Sequence, residues 1–356
     1  MPAFARTIGI DYSGAETPTA SLKGLRVYLA EGDAPPVEVL PPPSPRKYWT
    51  RRGIADWLVE RLAEDVPMLV GIDHGFSFPL RYFEVHGLLP DWPRFLDDFQ
   101  RHWPTDEDHV YVDFVRDGIA GNGAARMGNA RWRRLTEERA GGAKSVFHFD
   151  VQGSVAKSTH AGIPWLRYIR QRLGKQVHFW PFDGWEIPAG RSAIAEVYPA
   201  LWSRGFTRDD RTGDQHDAFS IAAWLARADR NGTLAPILNP DLSPPERTVA
   251  QVEGWILGVA GAIGLNARKR KQGNQIAWQD TTRKRRAETM STTEPRYKNK
   301  KDQIVVRKTE IPGNDHNQVV YVLRRTHCEN VYGANGSDIW QRRCPTCQGG
   351  AKGLSF

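Results

Sequence analysis

Cysteine is almost missing from this chain: three in 356 residues, all of them beyond residue 327. So few, and an odd number, cannot form a disulfide framework, so most of the chain must fold without one. A reducing compartment, the cytoplasm, is the expected setting. Long hydrophobic runs are missing too. Mean hydropathy is −0.54 and no window of about 18 apolar residues occurs, which argues against a membrane-spanning helix. Met1–Arg6 leads directly into a short apolar segment, so a signal peptide is not expected. No motif recurs at the period of a solenoid. With 40% hydrophobic and 25% charged residues, the composition is that of a folded chain with room for one large domain or two ordinary ones.

Charge is divided unevenly. Residues 1–266 hold 30 Lys+Arg against 33 Asp+Glu, net −3, whereas residues 267–356 hold 19 against 8, net +11. Three basic clusters, Arg268–Lys271, Arg283–Arg286 and Lys298–Lys301, lie in a polar stretch poor in aromatics. Such a segment is either a solvated linker or an arm for a polyanion, because Lys and Arg gain affinity by releasing counterions from phosphates. A nucleic acid, DNA or RNA, is the partner this charge favours.

The pattern along the chain predicts an α/β fold. Thr7–Ile10 and Leu22–Leu29 suit an antiparallel pair, and Trp49–Leu62 an amphipathic helix. Met68–Ile72 is a continuous apolar run of the kind found in buried central strands. Lys144–Gly162 reads as a loop rich in Gly, Ser, Thr and Lys. Pro164–Leu173 then reads as helix, Val177–Trp180 and Ser192–Val197 as strands, and Asp214–Ala228 and Thr248–Val259 as helices. The expected organisation is a domain over 1–262, a basic linker over 263–302, and a small β-rich, ribbon-like module over 303–356 with strands at Ile304–Val306 and Val319–Leu323.

Asp11, Asp73 and Glu196 share a position type: an acid at the end of an apolar run, where a core would otherwise take Val or Ile. At the carboxyl edge of an α/β sheet, converging acids offer hard oxygen ligands for Mg²⁺ or Mn²⁺. Asp214 and Asp217, three apart at the start of a helix, can share one face of it. Each acid also has a local alternative: Asp11 and Asp73 as caps of the turns that follow them, Asp214 as the cap of its own helix. Ser13, Lys144, Lys157, Ser158 and Thr159 could contact a phosphate backbone. His74 and His216, beside acids, could move protons near neutral pH.

Ile8-Gly9-Ile10-Asp11-Tyr12-Ser13-Gly14, Val70-Gly71-Ile72-Asp73, Glu196-Val197-Tyr198-Pro199 and Asp214-Gln-His-Asp217-Ala together resemble domain of unknown function family 429, predicted nucleases with a ribonuclease H-like fold. The Asp-x-x-Asp-Ala helix motif is also similar to that of RuvC-type Holliday junction resolvases. The resemblance spans roughly residues 7–258. It implies a ribonuclease H-like mixed sheet flanked by helices, with Asp11 ending the first strand, Asp73 the fourth, and Asp217, with Asp214, coming from the last helix. It further implies hydrolysis of phosphodiesters by paired metal ions. Glu196 is an addition that the resolvase pattern does not require. Two other readings stay open. One is an actin-like or sugar-kinase-like ATPase, in which Asp11-Tyr-Ser-Gly14 and Asp73-His-Gly75 would be phosphate loops. The other is a non-catalytic nucleic-acid-binding protein in which the acids pair with Arg.

Cys344-Pro-Thr-Cys347 is a CxxC knuckle and Cys328 lies sixteen positions upstream, with Val331 where a second pair would place its other cysteine. Tetrahedral zinc takes four ligands, so a Zn²⁺ site here would be one short unless His316 reaches it. The remaining options are a ribbon without metal and a redox CxxC.

Overall fold

The computed structural model describes residues 2–42, 47–149, 151, 153–261, 293, 297–314, 319–340 and 342–356. The basic clusters Arg268–Lys271 and Arg283–Arg286, and His316, lie outside the described residues. Two compact units are present, Met1–Gly273 and Asn274–Phe356. Among the described residues no helix is long and apolar enough to cross a membrane.

The larger unit is built on a six-stranded mixed sheet flanked by helices. Strands β1 (Arg6–Tyr12), β2 (Leu25–Glu31) and β3 (Val37–Glu38) form an antiparallel meander, which β4 (Met68–Asp73), β5 (Val177–Trp180) and β6 (Ser192–Glu196) extend in parallel, in the order β3-β2-β1-β4-β6-β5. Helix α1 (Arg51–Leu62) precedes β4. Between β4 and β5 come α2 (Leu80–Val85), α3 (Trp92–His102), α4 (Val112–Arg116), α5 (Leu135–Arg139) and α6 (Ala156–Leu173). After β6 come α7 (Gly213–Arg230), α8 (Leu234–Leu238) and α9 (Pro244–Glu253).

Alternation along the central strands separates two cores. Ile8, Ile10, Val70, Ile72 and Ile194 point to the face covered by α1 and α6, where they meet Ile54, Leu58, Leu166 and Ile169. The opposite face takes Leu69, Ala193, Ala195 and Val197 against Ile221 and Leu225 of α7. Glycine decides how closely α7 can approach. A Cβ on Gly9 would stand 2.2 Å from the Ala218 carbonyl oxygen and 2.6 Å from the Ala222 nitrogen, and one on Gly71 2.7 Å from Ile221 Cγ2. Both glycines therefore lie on the α7 face, and by the two-residue period of a strand so do Asp11 and Asp73.

Helix α6 corrects one expectation. The segment read as a loop up to Gly162 is helical from Ala156, and Pro164 sits inside the helix instead of starting it. Proline there removes the amide that would bond to the His160 carbonyl. Thr105 Oγ1 supplies the missing donor at 2.7 Å, so the carbonyl is satisfied and the helix continues. Helix α9 is shorter than the expected Thr248–Val259: Ser243 and Glu246 form a capping box at its start, and Gly254, at φ 81°, ends it.

The smaller unit is a three-stranded antiparallel sheet, β7 (Gln303–Pro312), β8 (Val319–Arg325) and β9 (Val331–Asn335), in that order. Its buried cluster is Val305, Leu323, Tyr332, Ala334, Ile339 and Cys344. Strand β9 escaped the sequence pattern because Gly333 interrupts it; a Cβ there would stand 2.5 Å from the Leu354 carbonyl oxygen, against which the strand is bridged.

Candidate functional site

Strands β1 and β4 run parallel and in register, Asp11 opposite Asp73. Neighbouring strands lie about 4.8 Å apart, and register partners share a face, so two carboxylates stand side by side beneath α7. Asp214, in the first turn of α7, and Asp217, just beyond it, both act on Asp11, and Asp217 acts on Asp73 as well. Thr212 caps that helix by accepting from the Gln215 amide, and Gln215 Nε2 reaches Glu38 Oε2 at 2.8 Å, which ties the helix start to β3.

The electrostatics record this crowding. Burial pushes the Asp11 carboxyl up to about 7; hydrogen bonds from Ser13 oppose it, and the charges of Asp214 and Asp217 add to it. Asp73 is driven well above the carboxylate range, first by burial and then by Asp11, Asp217 and Glu196. Asp73 still keeps some exposed area at the end of its strand. Asp217 is also raised, by burial and by Asp214, with His216 and Arg208 opposing. Burial raises the Tyr198 phenol as well, with Asp73 and Asp217 adding to it, which places that ring beside the acids. Among the described residues no Lys or Arg ion-pairs with any of the four aspartates.

Glu196 takes a different position, although its charge reaches Asp73. Its register partner is Ile72, not Asp73, so it leaves the sheet on the other face. There it lies in a buried ion pair, accepting from Arg134 Nη1 at 2.7 Å and Nη2 at 2.6 Å, and from the Phe76 amide at 3.1 Å. Arg134 also donates from Nε to Glu137 at 2.9 Å. Burial works to discharge this guanidinium, but the charges of Glu196 and Glu137 prevail and hold it above its ordinary value. Glu196, expected as a catalytic acid at the shared rim, thus lines the same cleft as Asp73 but with both oxygens engaged by Arg134. Nothing local in Arg131-Trp-Arg-Arg134 distinguishes the arginine that becomes buried.

The expected phosphate contacts divide in the same way. Ser13 is exposed, and its amide donates to Asp11 Oδ1 at 2.9 Å, so Asp11 does cap its turn as well as facing α7. Lys144 lines a cleft with Asp73, His74, Arg134, Glu196 and Tyr198. Lys157 is paired with Asp113 at 2.6 Å. Ser158 Oγ donates to the Val155 carbonyl at 3.0 Å, and Thr159 Oγ1, fully buried, accepts from the Gly75 amide at 2.9 Å. Ser158 and Thr159 are thus helical and turned inward, which corrects the reading of them as contacts for a phosphate backbone.

His74 is corrected too. Burial lowers it to about 3 and keeps it neutral; Nδ1 donates to the Gly75 carbonyl at 2.8 Å, and the ring packs between Tyr12 and Phe76. The amides of Gly75 and Phe76 are taken by Thr159 and Glu196, so the turn after Asp73 has few free donors for the phosphate loop that the ATPase reading requires.

In the smaller unit Cys328, Cys344 and Cys347 gather with all three Sγ atoms within 4.8 Å of one another, close enough together to bind zinc. Among the described residues they are the group of potential ligands that closes so tightly. The aspartates do not close to that distance. No protein-family model, curated protein or solved structure matches this chain.

Proposed function

We propose that the chain is a divalent-metal-dependent nuclease on a ribonuclease H-like sheet. Asp11, Asp73 and Asp217, with Asp214, would hold Mg²⁺ or Mn²⁺, and the basic C-terminal region would grip the nucleic acid. One observation carries the reading: two register-paired carboxylates and a third from the facing helix raise one another's proton affinity, and the opposing charges named above, Arg208 and His216, act on Asp217 alone. Crowding of this kind is unfavourable by itself, and hard oxygen donors with raised proton affinity suit a small divalent cation that displaces those protons. The antiparallel β2 beside β1, and acids on β1, β4 and α7, support the ribonuclease H-like assignment of the sheet.

The chain's own residues then have defined tasks. Asp11 and Asp73 form the floor of the site, and Asp217 closes it from α7. Tyr198 and Lys144 line the adjoining cleft, where a phosphodiester backbone would lie. Arg134 neutralises Glu196 just behind Asp73 and limits the negative charge that the floor must carry. Bound metal would activate a water molecule and steady the leaving oxygen.

The test is a labelled panel of single-stranded, duplex and branched DNA and of RNA, with Mg²⁺ or Mn²⁺. Cleavage should appear only with the cation and fall about a hundredfold or more in Asp11→Asn and Asp73→Asn, both of which should retain cooperative thermal unfolding. Cleavage unaffected by Asp73→Asn would overturn the proposal. Phosphate release from ATP with every nucleic acid left intact would favour the ATPase reading instead.

A further inference from the structure

We propose that the smaller unit holds a Zn²⁺ ion through the Cys328, Cys344 and Cys347 thiolates, with the fourth position filled by an external donor such as water. The spacing fits the ion. Zn–S bonds of about 2.3 Å in a tetrahedron put sulfurs about 3.8 Å apart, and Cys328 Sγ lies 3.6 Å from Cys344 Sγ. A disulfide needs about 2.05 Å, and three thiols cannot all pair.

N–H donors stand around two of the sulfurs. Backbone N–H groups of Thr346 and Cys347 are directed at Cys344, and that of Asn330 at Cys328. Asn330 Nδ2 also stands 3.8 Å from Cys344 Sγ. The Arg325 guanidinium approaches Cys347 while paired with Asp302 at 3.1 Å, and three thiolates on one Zn²⁺ would carry a net single negative charge. Three protons leave as the ion enters, and no redox step is needed.

Exposure indicates where the fourth position faces. Cys344 is buried, Cys328 half-buried and Cys347 exposed, so the open corner is on the solvent side. No fourth Cys, His, Asp or Glu among the described residues completes the group. The ion would tie the turn after β8 to the C-terminal knuckle in a unit whose buried core cluster is small.

The full-length protein, purified with zinc and dialysed, should retain one Zn²⁺ per chain, released stoichiometrically by a mercurial thiol reagent. Substituted with Co²⁺, it should show thiolate charge-transfer bands and tetrahedral visible bands that shift on adding imidazole. Cys347→Ser, at an exposed position, should weaken retention at least about tenfold. Substoichiometric zinc in the wild-type protein, or a Cys328–Cys344 disulfide, would overturn the site. Cobalt bands indifferent to imidazole, or loss of the ion in His316→Ala, would overturn the external fourth donor.

Discussion

Asp11 carries two opposed demands. Its Oδ1 accepts from the Ser13 amide, which favours the carboxylate, while its burial against α7 beside Asp73 favours the acid, and the second prevails at about 7. A carboxyl whose folded value lies above its unfolded value stabilises the protein fully at pH below the unfolded value. That contribution disappears as pH rises through the folded value. For Asp11 the window runs from about 4 to about 7, and Asp73 and Asp217 act in the same direction. Without divalent cations, thermal stability should therefore decline across that window by more than in Asp11→Asn, which should melt a few degrees higher than the wild type at pH 8. Mg²⁺ or Mn²⁺ should raise the wild-type melting temperature more at pH 8 than at pH 5, and leave Asp11→Asn nearly unmoved. Scanning calorimetry over a pH series measures both, and an equal shift at the two pH values would count against cation binding by these acids.

At the level of elements, the site depends on how closely α7 lies on the sheet. Gly9 and Gly71 make room for it on adjacent strands, but the two approaches differ in kind. A methyl at Gly9 meets backbone atoms of α7, which cannot move aside, whereas at Gly71 it meets side-chain methyls of Ile221, Val197 and Leu225. Gly9→Ala should cost about 3 kcal/mol or more and Gly71→Ala about 1–2 kcal/mol, measured by urea unfolding. Because Asp214 and Asp217 ride on the same helix, Gly9→Ala should also weaken Mn²⁺ binding. Equal costs at the two positions would mean that α7 can slide freely.

Across the whole molecule the division of charge is the dominant feature, with net +11 in residues 267–356 behind a nearly neutral larger part. If that region grips phosphates, removing residues 267–356 should weaken polynucleotide binding. It should also flatten the dependence of log affinity on log salt by about one for each Lys or Arg that had neutralised a phosphate. A salt titration by fluorescence anisotropy reads both effects. An unchanged slope would assign the region to a linker.

Much of this architecture was legible in the residues because it is encoded by near neighbours. The apolar run of β4, the amphipathic α1 and the Asp-x-x-Asp start of α7 follow from periodicities of two and 3.6, which a few adjacent side chains determine. The acids at the ends of β1 and β4 were visible for the same reason. Register and partnership were not visible. Which face Glu196 takes depends on pairing with Ile72 more than a hundred positions away, and its neutralisation depends on Arg134, 62 positions distant. The continuation of α6 past Pro164 leaves a His160 carbonyl that a Thr105 hydroxyl, 55 positions away, satisfies. Three cysteines separated by fifteen and two intervening residues became one cluster only when a turn and a knuckle met. The sequence by itself thus determined which groups are present and on which kind of element. Tertiary structure decided which charges are neutralised and which are left facing one another, because that balance is set by distances through space that local periodicity does not encode.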